Sequence, residues 1–303
     1  MYDESQGSSL DSPRARGYDG PSGLRSVLRN RRATMMVHRI GFFHFVAETA
    51  HPIDALKKTL TQSAADVSGA LIVLPEAFNI ADEYWRPLGP RLRPANTEKA
   101  VLFDLQHICK EFGVCFVAGL IMRAPNDPDP PHSSAWLIDS SEFWLLSLKH
   151  SNDGTGAGPG GRRDYTSNYT PCSEDCDASN GVCYQNVWIA ALLCMDAYPK
   201  DLTYGEANSR RHDLLRAKLA ECARGGAHAV LCVPSHMQEI VREGIYPYWP
   251  GFYVVLANSC VGGPGSFIAK VSEGQPQGTD DSILVSCTYE HCNRLRVIDL
   301  PDH

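Results

Sequence analysis

The chain has no surplus of positive charge: 28 Lys and Arg stand against 35 Asp and Glu, for a formal net charge of -7 at pH 7. That balance repels phosphate backbones, so no nucleic acid partner is expected. Long apolar runs are also missing. No stretch approaches the roughly 18 residues that a membrane-spanning helix needs, so no membrane partner is expected either. The first twenty residues carry Asp3, Glu4, Asp11 and Asp19 and no apolar segment, which argues against a secretory or mitochondrial leader. No sequence period repeats along the chain.

What is present is an ordinary globular composition. At 303 residues and 33.3 kDa, with 43% hydrophobic, 21% charged and 9% aromatic residues, the chain is neither fibrous nor wholly disordered and has ample length for a sizeable core. Eleven cysteines, an odd number, are spread from Cys109 to Cys292. Without a leader they read as reduced thiols of a cytoplasmic protein.

Residues 1–34 are rich in Ser, Gly, Asp and Arg with no sustained hydrophobic period, and are expected to form a disordered tail. Its arginines, among them Arg29, Arg31 and Arg32, receive no function. A single domain is expected over 35–303. It opens with a strand at Met36 to Phe43 and a turn at Pro52-Ile53-Asp54. A helix follows, capped by Asp54, with Leu56, Leu60 and Ala64 at helical spacing, running through Val67 to a stop at Gly69. Ala70-Leu71-Ile72-Val73-Leu74 is a continuous apolar run of the kind found in a strand buried on both faces. The alternation continues with a helix from about Thr97 to Phe112 and strands at 114–118, 135–138 and 144–148. A polar insert over 151–180 is too long for an ordinary connection. Beyond it come a strand at 187–193, a helix at 209–224, and strands at 229–233, 253–257, 266–271 and 295–300. Strands alternating with helices, then strands with few helices between them, indicate an α/β fold with mixed sheets, two of them packed face to face under helices.

Three polar residues each end an apolar run: Glu76 after Leu71 to Pro75, Lys149 after Trp144 to Leu148, and Cys194 after Trp188 to Leu193. Strand ends are where α/β folds build sites. Each alone is a weak signal, since a carboxylate or lysine there is ordinarily a solvated turn residue and a free cysteine ordinarily a small buried hydrophobe. Together a carboxylate, an ammonium and a thiol supply a proton shuttle, an oxyanion partner and a nucleophile, the parts needed for acyl transfer. Only a few per cent of an unperturbed thiol is ionised near pH 7, so a carboxylate that takes its proton makes attack feasible.

The flanking segments Leu74-Pro75-Glu76-Ala77-Phe78, Leu148-Lys149-His150 and Leu192-Leu193-Cys194-Met195-Asp196-Ala197-Tyr198-Pro199 resemble, in order, the three signature segments of the nitrilase superfamily of carbon–nitrogen hydrolases. The resemblance runs from about Val37 to Leu300 and takes in Ala257-Asn258, Gly262 and Gly265-Ser266. It implies a four-layer αββα sandwich with mixed sheets and a cofactor-free, metal-free thioester mechanism. In that mechanism Glu76 is the general base, Lys149 the cationic stabiliser and Cys194 the nucleophile, and the backbone N–H of Met195 helps Lys149 hold the oxyanion. It further implies a small amide or nitrile as substrate and a homo-oligomer. Met195-Asp196 leans towards the amidase-like branch, with nitrile or N-carbamoyl hydrolysis as alternatives. The family's usual second glutamate is missing before Tyr169-Thr170-Pro171-Cys172, where Asp164 or Glu174 could substitute. That gap, and the short Tyr246 to Gly251 segment, motivate a rival reading: a catalytically idle member serving as a binding or assembly protein.

Other signals are set aside. Cys172, Cys176 and Cys183 lack the paired spacing of a zinc site, and Cys287 and Cys292 with His291 read as packing residues. Gly154 to Gly161 neither follows a strand nor opens a helix with a phosphate-binding lysine, so it is a loop. His212, His228 and His236 read as structural or surface groups, although a Cys194–His236 pair would be the arrangement of a cysteine protease. Tyr246, Tyr248, Trp249, Phe252 and Tyr253 fit core packing or a pocket mouth.

Overall fold

The computed structural model describes residues 36–46, 51–63, 67–79, 95–122, 132–149, 181–197, 212–218, 221–222, 225–236, 249–259, 265–270, 282–287 and 293–301. The 1–34 tail, the whole 151–180 insert with Asp164 and Glu174, and Tyr246, Tyr248, Gly262, His291 and Cys292 lie outside them.

The chain enters order on β1 (Arg39–His44), then α1 (Pro52–Gln62), β2 (Ala70–Leu74), α2 (Ala95–Phe112), β3 (Cys115–Met122), β4 (His132–Ile138) and β5 (Phe143–Leu148). A hairpin of β6 (Val182–Tyr184) and β7 (Val187–Ala191) leads into a 3-10 turn at Cys194–Ala197. A helical segment at 212–218 precedes β8 (His228–Ser235), β9 (Tyr253–Asn258), β10 (Ser266–Lys270), β11 (Ile283–Cys287) and β12 (Arg294–Asp299).

These strands form two six-stranded mixed sheets, ordered β12-β1-β2-β3-β4-β5 and β11-β10-β9-β8-β7-β6. In the first, β1, β2 and β3 are parallel and the flanking pairings antiparallel. In the second, β7, β8 and β9 are parallel and flanked likewise. The period-2 geometry of a strand explains the layering. Ile40 and Phe42, Leu71 and Val73, Val117, Ile189, Val230, Val255 and Ala257 point between the sheets and form one buried core. Their neighbours Phe43, Ile72 and Leu74 face α1 and α2, packing on Leu56, Leu60, Leu102, Leu105 and Ile108. On the far side Trp188, Leu231 and Leu256 pack with Leu215, Trp249 and Phe252. Helix, sheet, sheet and helix are thus the four layers of the αββα sandwich. Each fully buried Leu, Ile or Phe contributes about 1.5–3 kcal/mol of apolar burial. That the central strands are covered on both faces is why they read as unbroken apolar runs.

Several boundaries differ from the expectation. Asp54 does not cap α1: the helix starts at Pro52 after His51, with Asp54 inside the first turn. Proline suits that position because its missing N–H would have no helical partner, and a first-turn carboxylate complements the helix dipole. The helix stops at Gln62, where Ser63 turns extended, rather than reaching Val67. The strand expected to run to Leu193 leaves regular pairing after Ala191, although the Leu192 N–H still donates to the Cys232 carbonyl at 3.0 Å. β6 and β11, not singled out in the sequence, are the two edges of the second sheet. Both are short or only half-covered: Cys183 in β6 and Leu284 in β11 are exposed.

Candidate active site

Two antiparallel steps, β3 to β4 and β4 to β5, return the chain to the direction of β2. Residues following β2 and β5 therefore leave the first sheet at the same end of its strands, which is how Glu76 and Lys149 meet. Lys149 Nζ donates to Glu76 Oε1 at 3.0 Å, with the two side chains only 6% and 4% exposed. The Ser133 hydroxyl donates to the same oxygen at 2.6 Å.

Two serines stitch the site together, one from each sheet. Ser133, on β4, gives its hydroxyl to Glu76 and its carbonyl to the Lys149 N–H at 2.9 Å. Ser235, ending β8, gives its carbonyl to the Glu76 N–H at 3.3 Å and points its hydroxyl at Cys194 Sγ, 3.8 Å away. Sequence reasoning missed both, because a serine beside a strand end has no distinguishing pattern and its partners lie far along the chain.

Cys194 begins the 3-10 turn in the left-handed region, with φ at 50°, and Ala77, next to Glu76, has φ at 55°. Non-glycine residues pay for that conformation with steric strain, which persists where surrounding contacts over-determine it. Here the contacts are visible. The Trp249 indole N–H donates to the Ala197 carbonyl at 3.1 Å, and His212 Nε2–H donates to the Asp196 carbonyl at 2.6 Å. The two rings meet edge to face, with centroids 4.9 Å apart. Both residues thus hold the Cys194–Ala197 turn from behind, and Trp249 is a core residue. His228 bonds the Pro301 carbonyl, and His236 Nδ1 shares a 2.8 Å hydrogen bond with Ser259 Oγ. In the late Asn-Gly-Ser stretch, Ser266 Oγ accepts from the Asn258 N–H at 2.9 Å and bonds His44 Nδ1 at 3.0 Å, joining β9 and β10 to β1 of the other sheet.

Burial pushes the Cys194 thiol up to about 12. The Lys149 charge, the His236 backbone and the Ser235 hydroxyl oppose that rise, while Glu76 reinforces it. For Lys149, burial works against the charged form, but the charge and hydrogen bond of Glu76, with a smaller contribution from Asp196, favour it and hold the ammonium above the ordinary lysine range. At rest the site therefore holds an ammonium beside a carboxylate, with a protonated sulfur nearby.

Among the other thiols, Cys183 is exposed and Cys287 buried. Among the described residues no three His, Cys, Asp or Glu side chains converge as a metal site.

No family model matches the sequence, and no curated protein matches it. Solved structures do. The fold is that of amidases of the nitrilase superfamily. An amidase from Nesterenkonia sp. superposes with a TM-score of 0.56 at 19% identity, covering 89% of this chain and 92% of its own. A cysteine-to-alanine mutant of the Nesterenkonia AN1 amidase from the nitrilase superfamily gives 0.57 at 18% identity, covering 89% and 93%. A further structure of that amidase shows the result of Michael addition of acrylamide at the active-site cysteine, with a TM-score of 0.53 at 19% identity over 87% and 93%.

Proposed function

We propose that this protein is a carbon–nitrogen hydrolase of the nitrilase superfamily that cleaves a small amide through a thioester on Cys194. The observation that carries the reading is the sealed Lys149–Glu76 pair, joined through Ser235 to a cysteine on a strained turn. Glu76 is the general base: it takes the thiol proton while sulfur bonds to the carbonyl carbon. Lys149 and the Met195 N–H stabilise the oxyanion, a role in which fixed charges in a dry site are worth most. Glu76 then returns the proton to the leaving nitrogen as the carbon–nitrogen bond breaks, and water cleaves the thioester by the same route. The neighbours' names support the amide: one complex of the Nesterenkonia amidase holds butyramide and another acrylamide. We extend the reading to a cytoplasmic homo-oligomer.

A screen of free amides, N-carbamoyl compounds and nitriles with ammonia detection tests the reaction. Cys194→Ala should abolish release, and mass spectrometry of the wild-type protein with a slow substrate should find an acyl adduct on Cys194. An adduct on a different cysteine overturns the assignment.

One observation favours the idle, partner-binding reading: Cys194 is 3% exposed and its proton is held tightly. A mild electrophile separates the two. Cys194 modified no faster than the fully buried Cys115 and Cys232 would support the scaffold.

A further inference from the structure

Both hydrogen bonds to the Glu76 carboxylate fall on Oε1: Ser133 Oγ at 2.6 Å and Lys149 Nζ at 3.0 Å. Among the described residues no donor falls on Oε2. A carboxylate oxygen offers two in-plane lone pairs, so two donors fill Oε1 and leave Oε2 as the acceptor. Ser133 is 2% exposed and its carbonyl also holds the Lys149 N–H, so it fixes both members of the pair at once.

We propose that Ser133 is a positioning residue that divides the labour of the Glu76 carboxylate, an inference that rests on the hydrolase reading above. Oε1 is the anchored oxygen and Oε2 the working one. In acylation the S–H bond breaks, its proton passes to Oε2, and the sulfur electron pair forms the S–C bond. As the C–N bond breaks, the same proton moves from Oε2 to the departing nitrogen. Ser133 exchanges no proton with substrate. It keeps Oε1 occupied, so that Oε2 is the oxygen left to accept the thiol proton.

The test follows the rate of Cys194 modification by iodoacetamide, read by mass spectrometry from pH 5 to 10, in the wild type, Ser133→Ala and Ser133→Thr. Circular dichroism and thermal melting check each fold. Removing the donor that anchors Oε1 leaves the carboxylate easier to protonate, so Ser133→Ala should move the acid limb of the profile up by about one pH unit and slow modification about tenfold at pH values below that limb, with little change above it. Ser133→Thr, which keeps the hydroxyl, should restore the wild-type limb. A Ser133→Ala profile that superimposes on the wild type overturns the proposal while leaving the hydrolase reading intact. Should Ser133→Ala not fold, a Ser133→Thr limb displaced from the wild type overturns it equally. Wild-type Cys194 that reacts no faster than Cys115 or Cys232 overturns the hydrolase reading, and this inference with it.

Discussion

A methyl group added to Gly119 would lie 2.6 Å from the Glu76 Cα, closer than any real Cβ contact, and 2.9 Å from the Pro75 carbonyl oxygen. Gly119 sits on β3, and its carbonyl accepts the Phe78 N–H at 2.9 Å, so the segment carrying the carboxylate lies directly against this strand.

Gly119→Ala should therefore destabilise the protein by about 1–3 kcal/mol, the usual cost of overpacking. It should also slow the reactions of Cys194, because the atoms that must yield are the Glu76 and Pro75 backbone and the rigid Pro234 ring rather than a flexible side chain. Gly226→Ala is the control. It meets nothing within 4 Å and suffers only its positive φ, so it should cost about 1 kcal/mol and leave thiol reactivity unchanged. Urea unfolding and alkylation rates on both variants check the contrast.

Removing one member of the buried ion pair should cost more than removing both charges. Lys149→Met leaves an ionised Glu76 without its cation, and a loss of about 3–5 kcal/mol is expected. Adding Glu76→Gln to that variant should recover much of the loss while leaving the protein inactive. A double-mutant cycle from urea midpoints measures the coupling, and simple additivity would show that the two charges do not depend on each other.

Trp249→Phe keeps an aromatic ring against Phe252 and His212 but removes the N–H that holds the Ala197 carbonyl. A buried acceptor left without its donor costs about 1–3 kcal/mol. Because that carbonyl ends the turn begun by Cys194, turnover should fall more than the melting temperature suggests. Equal turnover per folded molecule would show the turn to be held by other contacts.

Alkaline pH should unfold this protein with unusual steepness. Burial raises the thiols of Cys109, Cys115, Cys194 and Cys232 above their ordinary value of 9.0, so above that pH the unfolded chain releases protons that the folded chain keeps. Stability is fully present below about pH 9 and declines as pH rises, for Cys194 until about 12. Each such group adds up to about 1.4 kcal/mol per pH unit to the slope. Urea midpoints between pH 8 and 10.5 should fall steeply in the wild type and less steeply in a Cys115→Ala, Cys232→Ala double variant.

The layers and the polar trio were legible for a shared reason: β2 and β7, covered on both faces, and the edge strand β5 all read as apolar runs, so a charged or reactive residue stands out where each run ends. Glu76, Lys149 and Cys194 are such breaks. Ser133 is not, since Ser133-Ser134 looks like any strand entrance and its partner Glu76 is 57 positions away. The capping role expected of Asp54 failed because proline at the first helical position competes for the same start signal, and only backbone geometry decides which residue lies outside the helix. β6 and β11 escaped notice because each offers only a three-residue apolar stretch, Val182-Cys183-Tyr184 and Ile283-Leu284-Val285, too short to stand out, whereas β5 and β12, the edges of the first sheet, were legible as strands.

The first strand of the fold is completed by its last. β12 pairs with β1 along six residues, from Arg39 opposite Asp299 to His44 opposite Arg294, and Arg39 Nε donates to Asp299 Oδ1 at 2.7 Å. Until residue 299 has left the ribosome, the nascent polypeptide presents β1 as an open template for other molecules. A stop codon or protease cut shortly before Arg294 should therefore drive the product into inclusion bodies, even though it removes none of Glu76, Lys149 and Cys194.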